Sequence, residues 1–183
     1  LVDGELVLMD YAPDYHYYTS DIGRMWPVSG TYSPRQRELY GYIVEYHKTL
    51  LGLIRPGLMA EEVENEAAEI MRPVVEKTAW SAESFRRGAE ATLEFHGHLS
   101  HGVGMAVHDV WNYRKEPLKP GVVLALDPQM WIKEEEIYIR VEDTVVVTSD
   151  GVENLTAGAP LELDDVEAVI EEQGMLQAFP PIL

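Results

Sequence analysis

Apolar runs and turn residues alternate along the first thirty positions. Residues 6–11 (LVLMDY) read as a short buried strand and residues 15–22 as a second, with Ala12-Pro13-Asp14 as the turn between them. Tyrosines at 11, 15, 17, 18 and 32 crowd this stretch, and packing within a β-sheet is the reading their side chains favour over a ligand platform. Ser33-Pro34-Arg35-Gln36 then signals a helix start: a serine cap, proline at the first helical position and a glutamine that completes a capping box. Leu39, Ile43, Tyr46 and Leu50 follow at helical spacing until Arg55-Pro56-Gly57 ends the element. A second helix fits Ala60 to about Arg72 with Val63, Ala67, Ile70 and Met71 as its apolar stripe, and Pro73 should kink or shorten it. Residues 81–93 read as a weakly patterned helix. From His101 the texture turns to strands, at residues 121–127 (GVVLALD) and 137–148 (IYIRVEDTVVVT), before the turn Ser149-Asp150-Gly151 and a terminal helix over residues 164–173. Strands, then helices, then strands is an α+β order, with no internal repeat or linker.

Composition narrows the classes. The chain has 183 residues, 46% of them hydrophobic and 25% charged, which is globular composition for one domain. Its 14 Lys+Arg against 32 Asp+Glu leave a net charge of −18, opposed to both nucleic-acid phosphates and an anionic membrane surface. No apolar run approaches the ~20 residues that span a bilayer. The absence of cysteine excludes disulfides, thiolate metal sites and a thiol nucleophile. Together with the lack of a leader-like N-terminus, it predicts a cytoplasmic protein.

Four motifs carry candidate chemistry. Asp10 and Asp21 flank the first turn, and an odd residue sum across a hairpin puts both on one face, although two solvated strand-end acids are the plainer reading. Four of the six histidines fall within residues 96–108, in HGHLSHGVGMAVH, where Gly102 and Gly104 permit a close backbone approach. A histidine-rich surface loop would look the same. Asp127 ends an apolar strand, and Arg140 and Glu142 share a face of another, where a solvated ion pair is the alternative. Taken together, the acids end or interrupt three apolar strand regions. Four converging carboxylates repel by about 4 kcal/mol per pair at ~4 Å and an effective dielectric of 20. Two divalent cations would cancel them, and mostly oxygen with one imidazole suits Mn²⁺, Co²⁺, Fe²⁺ or Zn²⁺.

The stretches LVLMDYAPDYHYYTSDIGRMWPVSG, IRPGLMAEEVE, HLSHGVGMAVHD, GVVLALDP and YIRVEDTVVVTSDGVENLT, in this order and spacing, resemble the catalytic domain of the pita-bread metallopeptidases. That family comprises the methionine aminopeptidases, Xaa-Pro aminopeptidases and prolidases, and the wording around His101 and Arg140 is closest to the Xaa-Pro branch. The resemblance implies a single catalytic segment over residues 1–183 with two divalent metal ions held by Asp10, Asp21, His101, Asp127 and Glu142. It further implies hydrolysis of the bond between an N-terminal residue and proline by a metal-bridging hydroxide. Asp127 occupies the place of the family's proton-handling glutamate. His108 matches the histidine that contacts substrate, and Arg140 supports the ligands. Two departures stand out. Position 127 is one methylene shorter than the family's glutamate, which weakens the expected hold on the second metal. The chain also starts at the strand carrying the first ligand, so the upstream part of the fold, or a partner chain in a homo-oligomer, is expected to complete it. A non-peptidase member of the fold, a binding module or a creatinase-like hydrolase, is the rival reading, and an acidic metal-binding domain without catalysis is the third.

Overall fold

In the computed structural model, which describes residues 1–110 and 113–179, the local signals at Ser33 are realised. The Ser33 hydroxyl accepts from the Gln36 N–H at 3.3 Å and the Gln36 side chain accepts from the Ser33 N–H at 2.8 Å. Helix α1 runs Pro34–Leu53, α2 Ala60–Lys77 and α3 Glu83–Glu94. Ahead of them lie β1 (Leu6–Tyr11), β2 (Asp14–Tyr15), β3 (Tyr18–Thr19) and β4 (Ile22–Pro27). After them come β5 (Leu99–Gly102), β6 (Val123–Leu126), β7 (Gln129–Ile132), β8 (Ile137–Arg140), β9 (Asp143–Val147) and β10 (Val152–Asn154), then α4 (Leu163–Glu171) and α5 (Met175–Ala178). The α+β order stands. Among the described residues no helix is long and apolar enough to cross a membrane.

The sheets are antiparallel and small. β10-β9-β6-β5 form one four-stranded sheet, while β1-β4, β2-β3 and β7-β8 pair separately. The core lies between the helices and these sheets: Tyr40, Ile43, Tyr46 and Leu50 of α1 meet Val63, Ala67, Met71 and Val75 of α2, with Leu124 and Leu126 of β6 sealed beneath. Burial of such side chains, at about 1.5–3 kcal/mol each, dominates the stabilisation.

Five sequence expectations are corrected. The stripe of α2 is completed by Val75 rather than Ile70, which is half exposed. Pro73 does not shorten α2: the helix continues a further turn to Lys77, because buried Met71 and Val75 anchor it on both sides of the missing N–H. Residues 15–22 are not one strand. His16 and Tyr17 adopt positive φ (51° and 69°), the two-residue turn that suits a tight hairpin, so β2 and β3 fold on each other and β4 starts only at Ile22. The hairpin leaves the tyrosines outside the core. Tyr15 and Tyr17 are about four-fifths exposed, Tyr11 and Tyr18 are also exposed, and Tyr32 alone of the five is buried. Finally, residues 137–148 are broken between Arg140 and Asp143, where the chain leaves one sheet and enters another.

His98 marks the junction of α3 and β5. Its ring is fully buried against Tyr46 and Phe95, with Nε2 2.8 Å from the Thr92 carbonyl. Burial holds its pKa down at about 4, against an ordinary value of 6.5. Between those values the unfolded chain binds a proton that the folded chain does not, so stability falls as pH drops from about 6.5 to 4. The expected loss is about 3 kcal/mol. Urea denaturation at pH 7.5 and 4.5 checks it: His98→Phe should flatten the difference by about that amount, and an unchanged difference would refute it.

Candidate metal centre

The pairing of β1 with β4 sets the first two acids. Asp10 lies opposite Gly23 and Tyr11 opposite Ile22, so Asp21, two residues before Gly23, comes out on Asp10's side. Asp21 is then locked by Thr144 of β9, whose hydroxyl accepts from the Asp21 N–H at 2.7 Å and donates to its carbonyl at 2.8 Å. His101 projects from β5 at a register irregularity between Leu99 and Gly102, which re-aims its ring. Its Nε2 stands 3.4 Å from Asp21 Oδ2 and 3.8 Å from Glu142 Oε1. Asp127 closes β6, its N–H donating to the His98 carbonyl at 2.7 Å.

Glu142 is presented by the break between β8 and β9. Its backbone forms an isolated bridge with Gly23, N–H to carbonyl in both directions at 3.0 and 3.1 Å. The two backbones come so close that a Cβ at position 23 would lie 3.0 Å from the Glu142 Cβ, which is why glycine stands there. Glu142 is fully buried rather than a member of a solvated pair.

Arg140 sits among three of the acids. Its Nε donates to Asp127 Oδ1 at 2.7 Å, its Nη1 to Asp10 Oδ2 at 2.8 Å, and its Nη2 to Glu142 Oε2. His108 stacks on His101 with ring centroids 3.9 Å apart. Its loop is tied to β3 by the Thr19 N–H on the Gly104 carbonyl at 2.8 Å. Gly104 is needed in this loop, because a Cβ there would fall 2.2 Å from the Asp109 carboxylate that the Met105 and Val110 N–H groups hold. These groups open on a cleft of about 610 Å³ lined by Asp10, Asp21, His101, His108, Asp127 and Arg140.

Four carboxylates lie around one guanidinium that bonds three of them, and their pKa directions reflect the imbalance. Burial, with Asp127 adding repulsion, lifts the Glu142 carboxyl to about 9. Burial lifts Asp127 to about 6 against the pull of Arg140. Burial also pushes Asp21 upward, but the hydrogen bonds of His101 and Asp10 outweigh it and hold it below its ordinary value. His101 is lowered by burial and raised further by its bond to Asp21, so it ends above 6.5. Asp21 Oδ1 and Glu142 Oε1 are buried without a hydrogen-bond partner, an arrangement that is costly unless a cation satisfies it.

Those unpartnered oxygens and the donor chemistry fit a metal. Ligand atoms of Asp10, Asp21 and Glu142 lie within 4.8 Å of one another, as do those of Asp21, His101 and His108. Asp21 belongs to both trios, the arrangement two neighbouring ions would need. Oxygen with imidazole suits a borderline divalent cation. Of the four acids and one histidine named as ligands, four fall in these trios. Asp127 stands apart, with one oxygen engaged by Arg140. His108, read as a substrate contact, stands at ligand distance.

Sequence reasoning missed the groups behind the ligands: Thr144, Gly23, and the buried set Arg24, Asp143 and His47. A charged residue inside the apolar strand IGRMWP was the available signal for Arg24, since such a charge needs a partner.

Residues 1–149 match the profile of metallopeptidase family M24. The Xaa-Pro aminopeptidase of Escherichia coli K12 is 37% identical over 183 residues, covering 92% of this chain and 41% of that protein. Human Xaa-Pro aminopeptidase 3 is 32% identical, covering 93% and 36%. Among solved structures, proline aminopeptidase P II from Yersinia pestis superposes with a TM-score of 0.76 at 35% identity, over 93% of this chain and 42% of that one. Zinc-substituted E. coli aminopeptidase P in complex with product gives 0.75 at 33% identity, over 93% and 43%. The fold is therefore the pita-bread fold, and the chain spans about two-fifths of the length of the relatives it matches.

Proposed function

Since the chain belongs to metallopeptidase family M24, we propose that residues 1–183 act as one catalytic segment of an Xaa-Pro aminopeptidase or dipeptidase using two divalent ions. The observation that carries this is the pair of ligand trios sharing Asp21, with buried, unpartnered oxygens on Asp21 and Glu142. Asp10, Asp21, His101, Asp127 and Glu142 would hold the ions. Mn²⁺ suits the oxygen-rich set, with Co²⁺, Zn²⁺ and Fe²⁺ as the other candidates. When bound, such ions polarise a peptide carbonyl and lower the pKa of water.

The chain's own groups do the rest. Arg140 orients Asp127 and Glu142 and neutralises part of their charge. His108, which lines the cleft beside His101, would hydrogen-bond a substrate oxygen. Asp127 keeps Oδ2 free of Arg140, which engages Oδ1, and from that oxygen it would handle a proton in the place of the family's glutamate. The substrate would be a peptide with proline second, the specificity named for the relatives. A cytoplasmic location fits the lack of cysteine. Met9 and Tyr11, on the face of β1 opposite Asp10, are exposed apolar side chains that the rest of the fold or a second copy would cover.

The test is release of the first amino acid from a Xaa-Pro-Yaa tripeptide with and without added Mn²⁺. Turnover that depends on the ion supports the reading. Bound metal without turnover would leave a non-peptidase member of the fold. Asp127→Glu restores the methylene that brings this carboxylate about 1.5 Å further out. Because a misplacement near 1 Å is worth about 100-fold in rate, it should raise turnover or tighten Mn²⁺ binding by about 10-fold or more. Loss of activity in the folded variant would instead show a site rebuilt around aspartate.

A further inference from the structure

Asp21 precedes β4 and Glu142 precedes β9, strands of different sheets, and among the described residues the backbone ladder between those sheets is the single bridge from Gly23 to Glu142. Those two ladder bonds, with the Thr144 hydroxyl on the Asp21 backbone, are a slender join for two side chains that must meet one ion. Arg24 is applied at this point. Its Nη1 donates to both carbonyls of the bridge, Gly23 O at 2.9 Å and Glu142 O at 2.7 Å, using the acceptor capacity that the ladder bonds leave free. Its Nη2 donates to Asp143 Oδ1 at 2.7 Å and its Nε to the Pro160 carbonyl at 3.0 Å. Asp143 in turn accepts from the Thr156 hydroxyl at 2.6 Å and lies 2.9 Å from His47 Nε2. Arg24 is 8% exposed and Asp143 and His47 are sealed, so the charges are withdrawn from water around a backbone junction.

We infer that Arg24 is a positioning residue for the metal centre: its guanidinium clamps the Gly23–Glu142 bridge from behind and thereby holds the Asp21 and Glu142 carboxylates at a shared ion. The inference rests on the reading of these acids as metal ligands. Groups that orient metal ligands without touching the ion are worth about 10–100-fold in affinity. Asp143 fixes the guanidinium, and the rigid planar fork of arginine is what reaches both carbonyls at once. Lysine could keep the ion pair with Asp143 but could not span the bridge.

Zn²⁺ affinity, measured by competition with a chromogenic chelator, tests this in four proteins: wild type, Arg24→Lys, Arg24→Gln and Val75→Ala. Val75 is a buried residue near the far end of α2, and its truncation lowers stability without touching the bridge. Thermal melting is recorded for each. The expected result is a loss of 10-fold or more in Zn²⁺ affinity for Arg24→Lys and Arg24→Gln, with Val75→Ala binding as wild type even at an equal loss of melting temperature. Should Arg24→Gln not fold, Arg24→Lys decides, because it retains the charge beside Asp143. If Arg24→Lys binds Zn²⁺ as wild type does, the clamp has only a structural role and the inference is overturned. If wild type itself binds no Zn²⁺, the metal-site reading fails, and the inference falls with it for that separate and visible reason.

Discussion

Glu142→Gln is expected to lower metal-dependent peptide turnover by on the order of a thousandfold while leaving the fold intact, since groups that stabilise the reacting charge are worth about 10²–10³. Glu142 is the acid at which the two sheets meet, with Oε2 on Arg140 and Oε1 turned toward His101. Glutamine removes one of the four negative charges and places an amide donor where an acceptor is needed. The fold should tolerate it. Burial already favours the uncharged form of this carboxyl, and glutamine closely matches that neutral form in shape. Metal content by elemental analysis, turnover and melting temperature together check the prediction. Full metal occupancy with full turnover would remove Glu142 from the site.

Asp143→Ala should act on stability instead, costing about 3–5 kcal/mol, because it strips the partner from a buried guanidinium. Arg24, His47 and Thr156 all converge on this carboxylate. Burial alone would raise its pKa, but His47 and Arg24 prevail and hold it at about 2, against 3.8 ordinarily. The sign follows. A depressed carboxyl contributes stability above its unfolded value that is lost as pH falls from about 4 to 2, here about 2 kcal/mol. Calorimetry should show a fall of roughly 10 °C for a domain of this size at neutral pH. The variant should also lack the wild type's loss between pH 4 and 2. A change below about 1 kcal/mol would mean that Arg24 finds another partner.

What the sequence discloses depends on how far each cause lies along the chain. The helix from Pro34 is legible because its start signals sit within four residues, Ser33 to Gln36. Asp10 and Asp21 can be set on one face by parity alone, and the register of β1 with β4 agrees. The break at Glu142 is not legible in residues 137–148, which read as continuous β-branched strand. Its cause is a bridge to Gly23 and a guanidinium 118 positions away. The tyrosines mislead for a related reason. Residue type favours sheet packing, but the turn at His16 and Tyr17 carries them out of the core. The five proposed ligands emerge from the motif resemblance, not from spacing, whereas the reach of Arg140 to three acids at once is a fact of three dimensions.

The bridge between Gly23 and Glu142 also bears on the order of folding. It joins segments separated by most of the chain, so it must overcome the full loop-closure entropy before its two hydrogen bonds return anything. The three helices and the local hairpins can form first, and a chain arrested at that stage would have much of its secondary structure and no place for an ion. Metal capture then reports completion of the tertiary structure. By mass action each ion bound only to the finished form makes that last closure harder to reverse, by about 2.7 kcal/mol at a hundredfold excess over the dissociation constant. Chelation would therefore be felt first at the Gly23 and Glu142 amides, as faster hydrogen exchange, well before the helical core begins to open.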